Sequence, residues 1–225
     1  MSPELQIALQ NAINGLLLGG TYALVAVGFS LVWGVLNVVN LAHGSLVMLG
    51  AYVTYWLYTR YRLDPFATLP LTGLALFGVG YPLQRLVINQ VIRASFLITF
   101  LLTFGLDLLV TNLALAAWTA DVRAVTTPYS GRSLALGPLA LPLVRAIALL
   151  VALAGAALLQ LLLTRTRLGS VPGAFLGGLL LGLLQTYAAA WLGPNYDNIV
   201  AFSVLVLVLV VRPAGLLGRV ERFRG

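Results

Sequence analysis

Asn37, Asn40, His43 and Gly44 fall within Gly34–Gly50 (GVLNVVNLAHGSLVMLG), one of the most apolar stretches of an apolar chain. Amide and imidazole groups both donate and accept hydrogen bonds. In hydrocarbon they are costly, and those that persist face a bundle interior or a water-filled path. Spacings of three, three and one predict a helix with all four positions on one face. Two readings follow, and they are compatible. Interhelical hydrogen bonds could hold a kink, at about 0.6–2 kcal/mol each, or the stripe could line a route for a solute. Catalysis is not expected. His43 is the only histidine and has no cysteine or paired carboxylate beside it, so no nucleophile–base–orienter set can be drawn.

A second polar stripe runs Thr99, Thr103, Asp107, Thr111, each four residues apart. Asp107 is the one carboxylate well inside an apolar run, and an ionisable group at such a depth is a functional candidate. It reads as part of a buried seam or path wall, hydrogen-bonded to neighbouring threonines or to Asn112. A proton relay would have only His43 as partner. With no cysteine, one histidine and six scattered carboxylates, neither a metal site nor a cofactor is expected.

The elements that position these residues follow from composition. Of 225 residues, 60% are hydrophobic and 8% charged, against about 25% charged in ordinary soluble domains. Apolar runs long enough to cross a bilayer recur along the chain, so the fold class is all-α: a polytopic helical membrane protein of about seven segments. These are Leu9–Val35, Leu41–Tyr58, Phe66–Gln84, Ser95–Trp118, Leu139–Thr164, Pro172–Leu192 and Asn198–Val211. The second and last are short for a straight span, which fits discontinuous or tilted helices. The first run carries Glu4 in place of a basic n-region and is too long for a cleavable signal peptide. Gly15/Gly19, Gly173/Gly177 and Gly178/Gly182 are glycine pairs four residues apart, the spacing that lets helix backbones approach closely in lipid.

The net charge of +7 comes from arginine without lysine and is a topology signal; no nucleic-acid partner is expected. Arg85, Arg93, Arg165, Arg167 and the four arginines of the tail (212–225) fall on one side of a seven-segment count. That predicts a basic cytoplasmic C-terminus and an external N-terminus. The chain reads as one membrane domain over 1–225, with the loop Thr119–Pro138 outside.

These residues carry a resemblance. GTYAL (Gly20–Leu24), GFSLVWGVLNVVNLAHG (Gly28–Gly44) and MLGAY (Met48–Tyr52) resemble, in order and spacing, the opening of the branched-chain amino acid permease family. Leu97–Trp118 resembles its next long helix, and Gly169–Gly218 its last two spans. The resemblance implies a bacterial inner-membrane subunit of an ABC importer, not itself an enzyme. Its partners would be a second related permease, two cytoplasmic ATPase subunits and an external solute-binding protein. Its solute would be a branched-chain amino acid or a urea- or amide-type relative. By the same resemblance Asn37, Asn40, His43 and Gly44 would belong to the translocation path; Thr103 and Asp107 are added to it as the second stripe.

One departure stands out. In the family a segment of several tens of residues separates the arginine-ended fifth span from the GSVPG helix. It includes a short cytoplasmic helix that docks on the ATPase. Here LLLTRTRLG runs straight into SVPGAFLGG, as if a segment had been excised at 169–170. The expectation is a permease poorly coupled to ATP hydrolysis. Two other readings stand beside it: a self-contained secondary transporter or channel, and a non-transporting remnant.

Overall fold

The structure, a computed structural model, describes residues 2–36, 38–163, 171–193 and 196–211. Among these, seven long helices, a short hairpin and one wide helical turn form two compact units, residues 1–31 with 128–225 and residues 32–127.

The first unit is built on α1 (Pro3–Leu36), most of which belongs to it. Pro3 and Glu4 open this helix, and the Ser2 hydroxyl accepts the Leu5 amide at 3.4 Å. A proline in the first turn, an acid beside it and a hydroxyl at the cap are the residues a helix start favours. Strands β1 (Ser133–Leu136) and β2 (Leu139–Pro142) pair antiparallel around Gly137–Pro138. Gly137 takes φ 63°, as the first central residue of a two-residue hairpin turn requires. The hairpin is tied to α1 by glutamine side chains. Gln6 Nε2 donates to Pro138 O at 2.8 Å and Gln10 Nε2 to Ala140 O at 2.8 Å, while Gln10 Oε1 accepts from Ala140 N at 2.9 Å. The Gln10 amide thus bonds Ala140 as a third strand would.

Helices α6 (Leu143–Leu163), α7 (Val171–Leu192) and α8 (Asp197–Val211) complete the unit. A Cβ built on Gly182 would lie 2.3 Å from Gly19 Cα, one on Gly178 2.4 Å from Ala23 Cα, and one on Gly15 2.9 Å from Leu183 Cα. These pairs run in opposite directions along α1 and α7, so the two helices are antiparallel with backbones touching. Farther along, Tyr187 Oη donates to Ala8 O at 2.9 Å. Helix α6 runs parallel to α1. Gly20 faces Leu149, Gly155 faces Leu24, and Val27 packs on Ala156 with Leu159, Ala174 and Phe175 around them.

In the second unit α2 (His43–Tyr61) ends on Arg62, whose left-handed backbone (φ 57°) lets its amide reach Tyr58 O at 2.8 Å. Asp64 Oδ1 accepts from the amides of Phe66 (2.9 Å) and Ala67 (3.3 Å) and turns the chain into α3 (Leu69–Leu83). Pro82 removes an amide donor near the end of α3, and the chain continues through a π-turn (Gln84–Ile88) into α4 (Asn89–Val91). Lost donors are a recognised cause of such irregular turns. The apolar run in the sequence ends at Gln84. The helical path instead runs to Val91, which leaves Ile92–Ser95 as the link to α5 (Phe96–Trp118). Helices α2 and α3 are joined by Thr54 and Thr72, whose hydroxyl oxygens are 3.1 Å apart, and by Gly50 against Leu76.

Five described stretches are long and apolar enough to cross a membrane: Pro3–Gly34, Leu69–Val91, Phe96–Trp118, Leu143–Leu161 and Gly173–Leu192. Helix α8 is apolar but shorter, and α2, though long enough, carries His43, Ser45, Thr54 and Arg60. Leu74, Phe77, Leu97, Leu113 and Leu161 are each more than half exposed. Such continuous apolar surface suits lipid as its solvent.

Candidate functional site

Every residue of the candidate site that the structure describes belongs to the second unit. Asn37 lies outside the described residues. The one-face helix expected over Asn37–Gly44 is not what forms. Residues 38–40 are non-helical, a turn follows at 41–42, and a new helix begins at His43. Asn40 explains why. Its Oδ1 accepts the amide of Ala42 at 3.1 Å, and its own carbonyl accepts the amide of His43 at 3.2 Å. This local asparagine turn competes with the helix for the same backbone donors. Ser45 Oγ donates to Ala42 O at 3.0 Å and secures the first turn of α2.

The break is buried, with Val38, Asn40 and Ala42 each under a tenth exposed. A buried carbonyl without its helical partner costs about 1–3 kcal/mol if left unsatisfied. Thr103 meets that need at Val39. Its hydroxyl, fully buried, lies 3.0 Å from Val39 O and 3.1 Å from its own helix's Phe100 O. A hydroxyl has one proton, and Val39 is the acceptor that lacks a helical donor. Below it, Ala42, Leu106 and Ile88 form a small apolar cluster with Leu83 and Val87. The two polar stripes thus meet, through Thr103 and the backbone at Val39.

The other named residues are placed as follows. His43 is half-buried in the first turn of α2, and Gly44 is exposed with open space where a side chain would go. Thr99 bonds Phe96 O at 2.9 Å within its own helix. Asn112 Nδ2 donates to Leu108 O at 2.7 Å, so it is not the partner of Asp107 that was one expectation. Asp107 is half-buried and has no hydrogen bond or ion pair among the described residues. In the first unit, Gly15, Gly19, Gly178 and Gly182 lie where α1 and α7 touch; Gly177 faces open space and Gly173 is half-buried. Among the described residues no group of histidines and carboxylates is arranged for a metal ion. An open concavity of about 440 Å³ along the first turns of α1, lined by Pro3, Gln6, Ile7, Gln10 and Asn11, includes none of the path candidates.

Sequence reasoning passed over three arrangements. The Thr54–Thr72 pair was invisible because nothing in one chain's spacing links residues on different helices. The anchor of Arg123 was equally hidden. Its Nη2 donates to Trp118 O at 2.7 Å and its guanidinium lies 5.6 Å from the ring centres of both Tyr55 and Trp56. Beside it Tyr52 stacks on Trp118 at 4.4 Å. The third is the asparagine turn at Asn40. Its signal, an asparagine three residues before a helix start, is present but masked by the apolar run.

Residues 11–171 match the family described as the branched-chain amino acid transport system permease component. The high-affinity branched-chain amino acid transport system permease protein BraD of Pseudomonas aeruginosa is 24% identical over 302 residues, covering 97% of this chain and 98% of the relative. The permease proteins LivH of Salmonella typhimurium and of Escherichia coli K12 are each 25% identical over 305 residues, covering 98% and 99%. These alignments are longer than the 225 residues of this chain, so tens of positions in each relative face no residue here. No solved structure matches.

Proposed function

This multi-pass chain belongs to the branched-chain amino acid transport permease family, and from that premise we propose that it is the membrane permease subunit of a bacterial inner-membrane importer for branched-chain amino acids, weakly coupled to ATP hydrolysis. The observation that carries the path assignment is the break at 38–42, a buried, non-helical backbone segment held by Thr103. Irregular backbone at membrane depth is tolerated where protein buries it or where it lines a water-filled cavity, and broken helices in transporters form solute sites. Asn40, His43, Gly44, Thr103 and Asp107, with Asn37, are the residues assigned to that path.

The partners are a second, related permease, two cytoplasmic ATPase subunits and an external solute-binding protein. The relatives' names support this, since each is the permease protein of a transport system. Orientation follows from charge. The tail and Arg165/Arg167 concentrate the arginines on the cytoplasmic side, and the N-terminus of α1 lies outside.

The excess length of the relatives' alignments, and a family match that ends at residue 171, support a missing segment near 169–170. The short link Ile92–Ser95 leaves no room for a docking helix on that side. Without differential contacts to the ATPase, nucleotide binding cannot shift the permease between states.

Vesicles carrying this chain with its partner permease, both ATPase subunits and the binding protein test the assignment. Expected are co-purification with the partner permease and leucine-stimulated ATP hydrolysis far below that of a full-length relative. ATP-driven leucine accumulation at the relative's rate would overturn the weak coupling. Failure to assemble with any permease would overturn the subunit assignment.

A further inference from the structure

The polar stripe of α5 divides in two. Thr99 and Thr103 give their protons to backbone carbonyls. Asp107 and Thr111 do not take part. Both are half-buried, and among the described residues neither has a hydrogen bond or an ion pair. A threonine in a helix interior commonly bonds the carbonyl three or four residues back, as Thr99 and Thr103 do, and Thr111 does not. Four residues apart, the Asp107 carboxylate and the Thr111 hydroxyl are neighbours on one helix face.

That face is the flank of α5, between its buried positions (Leu106, Val110, Ala114) and the exposed Leu101, Leu108 and Leu109. It lies at the level of the helix break, because Leu106, next to Asp107, packs on Ala42 at the start of α2. A carboxylate held at that depth requires a cation or water.

We propose that Asp107, with Thr111 beside it, determines specificity by taking the protonated amine of the transported amino acid. This rests on the importer assignment above. The carboxylate accepts a charge-assisted hydrogen bond from the ammonium group and the threonine oxygen a second. The solute class follows: an amino acid offers the cation this face lacks, and a neutral urea- or amide-type solute does not.

The chain contains no cysteine, so Thr111→Cys places a single thiol beside Asp107. The full assembly with Cys-free partner subunits, in membrane vesicles, is labelled with a water-soluble maleimide at increasing L-leucine. A second reporter, Gly44→Cys, reads whether leucine reaches the path at all. Expected is that leucine slows labelling at position 111 and its deaminated analogue, isocaproate, does not. Asp107→Asn should raise the half-protecting leucine concentration about tenfold or more, the loss of one charge-assisted hydrogen bond, and Asp107→Glu should retain most of the protection. The leucine–isocaproate comparison needs no change at Asp107, so the test stands even if Asp107→Asn fails to assemble. Equal protection by isocaproate, or unchanged protection in Asp107→Asn, overturns the proposal and leaves the importer assignment intact. So does a thiol at 111 that never labels, since that flank is then covered by lipid or by another subunit. If leucine also fails to protect Gly44→Cys, the importer assignment fails with it.

Discussion

One hydroxyl joins the two polar features of this chain. Thr103 is fully buried, and its hydroxyl bonds the carbonyl of Val39 across the break while lying 3.1 Å from Phe100 O of its own helix. Thr103→Val keeps the shape and removes the donor, so the half-buried Val39 O loses its partner across the break. Its stability is expected to fall by about 1–3 kcal/mol, read as a lower midpoint in thermal unfolding of the detergent-solubilised protein, while Thr103→Ser stays close to the native value. Asn40→Ala removes the acceptor for the Ala42 amide and is expected to lower stability by about 0.5–1.5 kcal/mol, the net worth of one hydrogen bond. A midpoint equal to the parent's in both Thr103→Val and Asn40→Ala would mean that neither side chain holds the break.

At the scale of elements, the glycine contacts make a sharp distinction among residues of one type. Gly182→Ala would place its methyl 2.3 Å from the α1 backbone, whereas Gly177→Ala meets nothing within 4 Å. The first is expected to destabilise by about 1–3 kcal/mol through overpacking and the second to be nearly neutral, by the same unfolding measurement. Gln10→Leu should loosen the hairpin on α1, since both bonds to Ala140 come from that amide and only the Gln6 bond to Pro138 O remains. Faster cleavage of the 133–142 segment by an added protease is the expected readout, with Gln6→Leu giving a smaller effect because it removes one bond. Much of this level was legible in the sequence. The long helices fall close to the apolar runs because lipid-spanning segments are set by length and composition, which one chain displays in full. The hairpin was not legible: SLAL and LALP are too short and too poor in β-branched residues to announce strands, and their pairing depends on a glycine turn and on glutamines more than a hundred residues earlier. The break at Asn40 falls in the gap between the apolar segments Leu9–Val35 and Leu41–Tyr58, but its cause is not legible there, because periodicity reports only which face residues share. It does not report whether a side chain takes the backbone's hydrogen bonds for itself.

For the whole molecule, the arginine distribution makes a directional forecast. Because the chain has no cysteine, Glu4→Cys in intact cells is expected to react with an impermeant thiol reagent, and Gly225→Cys only after the cells are opened; the reverse pattern would invert the assigned topology. The antiparallel seam of α1 and α7 bears on how such a chain is made. Gly19 and Gly182 touch, yet at synthesis rates of about 5–20 residues per second the ribosome adds the second roughly ten seconds or more after the first. For that interval the small-residue groove of the first helix sits in the bilayer with no mate of its own. Helix α1 therefore waits through the synthesis of α2 to α6 for its mate α7, and its groove is open to other helices in that interval.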